Sequence, residues 1–174
     1  KPGVKVGLIG GAIEKEITSR GFKPIENLTG HKIEPFMLHA GVEIPNIKSS
    51  ASYELQEGDI FAIEPFSSAG SGRVSDTSQV EIFALQSTPK LRMKYSRELL
   101  THIVHNYFSL PFAERWLSGV FKSRLTLASS LRELLNSGAL HPYPVLRDTG
   151  RGLVAQPEHT VIIEHESAKV LTPL

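Results

Sequence analysis

Ile60-Phe61-Ala62-Ile63 is an apolar run of strand length, and it ends on a carboxylate, Glu64, with Pro65 and Phe66 directly behind it. A turn signal, Glu57-Gly58-Asp59, precedes it. A buried strand can end on a glutamate only if that carboxylate is paired, protonated or on a metal. Pro65 biases Glu64 toward extended backbone, so the direction of its side chain is partly set by sequence. The rest of the chain must therefore supply a partner. The richest source is Asn27 to Ile47, which carries His31 behind Gly30 and His39 shortly before Gly41. Glycine lets backbone or ligand approach a working side chain closely. Imidazole is the commonest neutral metal ligand and the usual proton carrier near pH 7. Pro35 and Pro45 exclude a helix there, leaving strand and loop.

The remaining elements follow from periodicity. Val4, Leu8, Ile9, Ala12, Ile13 and Ile17 share one helical face, in a helix that opens after Pro2-Gly3 and stops at Gly21. Ser67 to Ser78, rich in Gly and Ser, reads as a loop. Gln79 to Gln86 reads as a strand, with Val80, Ile82 and Ala84 alternating against Glu81, Phe83 and Leu85. Three helices are expected next. The first is capped by Ser96 and carries Leu99, Leu100, Ile103, Val104 and Tyr107. The second begins at Ser109-Leu110-Pro111, carries Phe112, Trp116 and Leu117 as core, and ends at Gly119. The third runs from about Arg124 to Ser137. Asp148-Thr149-Gly150-Arg151-Gly152 reads as a hairpin, so this middle section has a winged-helix-like outline. The chain closes with strands, and a second carboxylate, Glu158, falls in one of them.

Composition narrows the function. The chain has no cysteine, which excludes disulfides, zinc fingers and thiol catalysis. No apolar run approaches the roughly 18 residues of a membrane helix, so no membrane partner is expected, and a cytoplasmic setting is. Residues 91–151 hold nine Lys and Arg against four Asp and Glu, a local charge of +5, within a chain of net charge +1. That shift sets the expected division: 1–90 with 152–174 as one unit, 91–151 as a helical insert. The first residue is Lys1 rather than methionine, and the expectation is that an upstream part has been removed or lies on another chain.

From spacing alone, His31, His39, Glu64 and Glu158 admit two readings. They are donors that hard-to-borderline divalent ions accept, and two such ions can activate a water and clamp a carbonyl. Alternatively, a core histidine and two strand-end glutamates are satisfied by each other and by salt bridges.

The local wording separates these readings. Gly30-His31-Lys32-Ile33, Leu38-His39-Ala40-Gly41, Ala62-Ile63-Glu64-Pro65-Phe66 and Ala155-Gln156-Pro157-Glu158-His159-Thr160 occur in this order. Together they resemble the second half of the type II methionine aminopeptidases, as do Leu110-Pro111-Phe112-Ala113-Glu114-Arg115-Trp116-Leu117 and Pro142-Tyr143-Pro144 in the insert. The resemblance covers nearly the whole chain. It departs at Pro157, where the family usually has phenylalanine.

The resemblance implies an α+β chain: the second half of a pita-bread fold, carrying the type II helical insert. It implies a metal-dependent hydrolase that removes the initiator methionine from nascent peptides when the next residue is small. His31 and Glu64 would ligate one metal and Glu158 would bridge two divalent ions, drawn from Co, Mn, Fe or Zn. His39 would contact the scissile peptide and Glu64 would accept a proton. Leu38, Phe66 and Tyr143 would line the methionine pocket. Two aspartate ligands and a further histidine belong to the family's first half, which this chain lacks. Asp59, Asp76 and Asp148, in turn or loop contexts, do not replace them. The expectation is a fragment or one chain of a two-part enzyme, inactive until its N-terminal half joins it.

The other histidines invite plainer assignments. His102 and His105, three apart on a helix, read as solvated surface, and His159 as structural; His141 and His165 have no evident partner. The basic insert supports a rival reading, a non-catalytic aminopeptidase-like module that docks on the ribosome or RNA. Retention of His31, Glu64 and Glu158 favours the enzyme.

Overall fold

The computed structural model describes residues 1–172. In chain order the elements are α1 (Val6–Ser19), β1 (Lys23–Pro24), β2 (Thr29–Ile33), β3 (Glu43–Pro45), β4 (Ile60–Ile63), β5 (Ser67–Ser68) and β6 (Val74–Leu85). Then come α2 (Lys94–Asn106), β7 (Phe112–Ala113), a 3-10 turn (Glu114–Leu117), α3 (Arg124–Asn136), β8 (Leu140–Asp148), β9 (Val154–Ala155), β10 (His159–Ile163) and β11 (Ala168–Val170). Two compact units emerge: Lys1–Ser75 together with the chain from Leu146 onward, and Asp76–Val145. The composition shift had suggested 90/91 and 151/152. The strands β6 and β8 carry little of that charge signal, yet Phe83 and Leu140 belong to the same apolar core as the helices.

The first unit is organised around a five-stranded antiparallel sheet in the order β11-β10-β4-β2-β3, with a small sheet β1-β5-β9 beside it. Its core gathers Val6, Ile44, Leu55, Phe61, Val161 and Ile163. The helix α1 ends at Gly21 as its sequence indicates, and Val4, Ile9 and Ile13 of the expected stripe pack against the core, but the stripe is not the whole packed face. Leu8 is 66% exposed and Ala12 is exposed, while Val6, Gly7, Gly10 and Ile17 are buried. The reason is a backbone approach: a Cβ at Gly10 would lie 2.3 Å from the carbonyl oxygen of Ile47. The glycines beside the aliphatic residues let the axis come nearer the sheet than a side chain there would allow. The predicted loop 67–78 is also more ordered than its Gly and Ser content suggests. Ser67 and Ser68 pair with both β1 and β9. The amide group of Asn27 both donates to and accepts from the backbone of Val74, at 2.9 and 3.0 Å, at the start of β6.

The second unit packs α2 and α3 with the strands β7-β6-β8 around Phe83, Leu99, Ile103, Phe112, Leu131 and Leu134. The expected middle helix is replaced by β7 and the 3-10 turn. Phe112 and Ala113 pair with Phe83 and Ile82, and the Phe112 ring stacks on Tyr107 at 4.8 Å. That pairing consumes the residues that would have formed the first helical turn. Trp116, expected in the core, is 53% exposed. The Ser96 cap is corrected too. α2 starts at Lys94, Ser96 is buried, and the carboxylate of Glu133 accepts the amides of Arg92 at 2.8 Å and Met93 at 3.3 Å. An anion from α3 thus serves the electropositive start of α2. α3 is capped locally, by Ser123. In β6 burial does not follow one face: Phe83 and Ala84 are both buried, Val80 packs against the core, and Ile82 is 44% exposed.

Candidate active site

Strand register builds the site. His31 pairs with Ala62, and Ala62 with Thr160. Antiparallel partners project to the same face, and residues two apart do so as well. Glu64 lies two residues beyond Ala62, and Glu158 two before Thr160. His31 and Glu64 therefore meet on one side of the sheet, whereas Glu158 stands one residue before β10, outside the paired ladder. Gly30 makes the approach of β2 to β4 possible, since a Cβ there would stand 2.4 Å from the carbonyl oxygen of Ala62.

The consequence is a close pair. The Nε2 of His31 lies 3.1 Å from the Oε1 of Glu64, and both side chains are about one-tenth exposed. The hydrogen bond to Glu64 raises the His31 pKa, with burial opposing it. The other oxygen of Glu64 accepts from the side-chain amide of Gln156 at 2.6 Å. The His39 ring stands edge-on to His31, centroids 4.3 Å apart. Desolvation, followed by repulsion from a charged His31, lowers the His39 pKa. A cavity of about 350 Å³ opens at these two rings, walled by Asn27, Leu28, Thr29 and Val42 among others.

The other site residues spread more widely. Leu38 and Phe66 are half-buried in the first unit but do not line that cavity among the described residues. Phe66 is held by its backbone, its amide donating to the buried Asn46 at 3.2 Å. Tyr143 lies on β8 in the second unit, its ring edge-on to His141 at 4.8 Å. Glu158 is exposed and sits just before β10 rather than inside a strand. Pro157 in front of it has no N–H to give a ladder. Among the described residues, no group of three or more His, Asp or Glu side chains is close enough to hold a metal ion. His31 and Glu64 nonetheless face each other as a nitrogen and an oxygen donor of the kind such ions accept, which fits part of a coordination sphere.

Two of the three aspartates are engaged elsewhere. Asp59 is buried between the Nζ of Lys32 at 2.9 Å and the hydroxyl of Tyr53 at 2.9 Å. Asp148 is buried in a ring of serine and glycine donors. Of the plainer histidines, His159 meets the Thr172 hydroxyl at 3.1 Å, and His165 has a partner after all, Glu57 at 3.3 Å. Sequence reasoning passed over Gln156 and Asn46. Gln156 stood inside a quoted motif, two residues before Glu158, and that spacing was its signal. Asn46 had none.

Residues 1–88 match the profile of metallopeptidase family M24. The chain belongs to metallopeptidase family M24. This M24 chain is 50% identical to a methionine aminopeptidase of Pyrococcus horikoshii over 174 residues, which is 99% of the chain and 58% of that relative. It is 45% identical to one from Methanothermobacter thermautotrophicus, covering 99% of the chain and 57% of that relative. The M24 chain thus spans under three-fifths of the length of the curated relatives it matches. Among solved structures it is similar to a thermophilic Arx1, with a TM-score of 0.76 at 18% identity, over 96% of this chain and 45% of the other. It is also similar to a methionine aminopeptidase of Thermotoga maritima, with a TM-score of 0.57 at 19% identity, over 98% of this chain and 43% of the other. These likenesses establish the α+β pita-bread fold expected from the motifs. M24 is a metallopeptidase family whose members use divalent metals.

Proposed function

We propose that this chain is the part of a methionine aminopeptidase that contributes His31, Glu64 and Glu158 to a two-metal site. The observation that carries the reading is the buried His31–Glu64 pair at 3.1 Å, with Glu158 one residue before β10, the strand that pairs with β4. The remaining ligands would come from the additional length that the relatives carry, on the same chain or on another, and without it the chain would not turn over substrate. Divalent ions, drawn from Co, Mn, Fe or Zn, would supply the Lewis acidity that lowers the pKa of water and polarises a peptide carbonyl.

The chain's own residues have distinct tasks in this reading. His39 stays neutral near pH 7 because its pKa is lowered, so it can donate a hydrogen bond to the scissile carbonyl without carrying charge. Glu64 accepts a proton, and Gln156 holds its second oxygen in place. Leu38 and Phe66 contribute to the binding of the methionine side chain. The substrate is the initiator methionine of a nascent polypeptide with a small second residue, in the cytoplasm.

The test joins this chain to the N-terminal segment of a relative and measures metal binding by calorimetry and methionine release from a Met-Ala peptide. Two divalent ions should bind, and His39→Ala should slow turnover by about 10²–10⁴. If the assembled protein binds no metal, or if His31→Ala leaves turnover intact, the assignment is wrong.

A further inference from the structure

In the second unit, the solvent-facing side of α3 opens onto two cavities that the hydrolytic reading does not use. One, of about 780 Å³, has Arg115, Lys122 and Arg124 at its walls and Phe121 and Leu127 among its apolar surface. The other, of about 490 Å³, is walled by Arg92, Arg132, Met93 and Leu125. Ala128 lines both, so the two lie on either side of one helical ridge. None of these five cations forms an ion pair with a described residue. Leu125 is 79% exposed, on the same helical row as Ser129, Arg132 and Asn136. A large aliphatic side chain in that position gains nothing from the unit's own core.

We propose that this ridge docks an acidic amphipathic peptide segment of another protein, its apolar side chains on Leu125 and Met93 and its carboxylates among the five cations. Charge complementarity selects an acidic partner. The aliphatic surface and the carboxylates already in the walls select peptide over nucleic acid. Glu81 and Glu114 line the larger cavity and Glu133 the smaller, so a continuous phosphate backbone would meet like charge on both sides of the ridge. A peptide can alternate its charges and place leucine or phenylalanine where a phosphate would be repelled.

Trp116 is the chain's only tryptophan, and the Arg115 guanidinium lies 5.9 Å from its ring. A ligand on Arg115 should therefore change its fluorescence. The probe is a synthetic peptide of about twelve residues with two leucines one helical turn apart, flanked by glutamates. It is titrated into the full 174-residue chain and followed by Trp116 emission and by calorimetry. Micromolar binding is expected, weakened about tenfold by raising the salt to near physiological strength. Arg124→Glu and, separately, Leu125→Asp should each weaken it by about tenfold, since one breaks the charge match and the other the apolar contact. Both sites are on the surface, and unchanged circular dichroism and thermal midpoints will show that the variants fold. The proposal is overturned if the peptide does not bind, if both variants bind it as well as the parent chain, or if a lysine-flanked peptide binds equally well. Tighter binding of a single-stranded uridine oligonucleotide than of the peptide would also overturn it, in favour of a nucleic-acid surface.

Discussion

Gly30 controls whether His31 can reach Glu64. Any side chain there meets the carbonyl oxygen of Ala62, a backbone atom that cannot swing away. Gly30→Ala should separate β2 from β4 and destabilise the first unit by about 2–3 kcal/mol, measured by urea unfolding. It should also move the imidazole resonances of His31, because the 3.1 Å contact cannot survive the separation. A second residue-scale prediction concerns Asp59, which burial pushes up while its contacts with Lys32, the Gln56 amide and Tyr53 hold it below its ordinary value. Asp59→Ala leaves the Lys32 ammonium in a largely buried site with only its longer contact to Glu34, at 3.8 Å. The loss should be about 3 kcal/mol in the same assay. Replacing both residues by apolar ones of similar size should recover much of it, since no charge is then stranded.

The turn after β8 shows what one carboxylate can do for a whole element. Asp148 accepts from the hydroxyls of Ser68 at 2.8 Å and Ser71 at 3.0 Å, and from the amides of Gly150 at 2.8 Å and Gly152 at 3.2 Å. Burial pushes its carboxyl up, but the Ser71 amide and the other donors outweigh it and hold the group well below the usual carboxylate range. A depressed folded pKa contributes stability that is present above the unfolded value of about 4 and is lost as pH falls toward the folded one. Asp148→Asn should therefore unfold more easily than the parent at pH 7. The gap should narrow as pH falls from about 5 to 3, as read from urea midpoints across that range. Element-scale legibility was uneven in the same way. The end of α1 at Gly21 and the span of α3 followed from local residues. The start of α2 did not, because its cap is Glu133 from another helix, and β7 did not, because a two-residue strand exists only through its pairing with β6.

Each of the two units has its own apolar core, so local opening should respect the division. Leu99 is fully buried among Ile103, Phe112 and Leu134. Leu99→Ala should cost about 2–5 kcal/mol and lower hydrogen-exchange protection in α2 and α3. The amides of β2 and β4 should keep their parent rates; equal losses in both sets would show that the cores open as one.

The sequence by itself determined the four ordered motifs, and with them the family and the choice of His31, His39, Glu64 and Glu158 as candidates. Those features are local: a histidine behind a glycine, a glutamate before a proline, a glutamate before a strand. Tertiary structure alone decided what the residues meet. Register between β2 and β4, which no single segment encodes, brings Glu64 within hydrogen-bonding distance of His31. It also brought in Gln156 and Asn46, whose importance lies in partners 92 and 18–20 residues away along the chain. Buried faces went the same way. Periodicity named most of the packed side of α1, but the close backbone approach at Gly7 and Gly10 was not in it, and in β6 Phe83 and Ala84 from opposite faces are both buried. Such choices depend on which surfaces can approach, and that is a property of the folded chain.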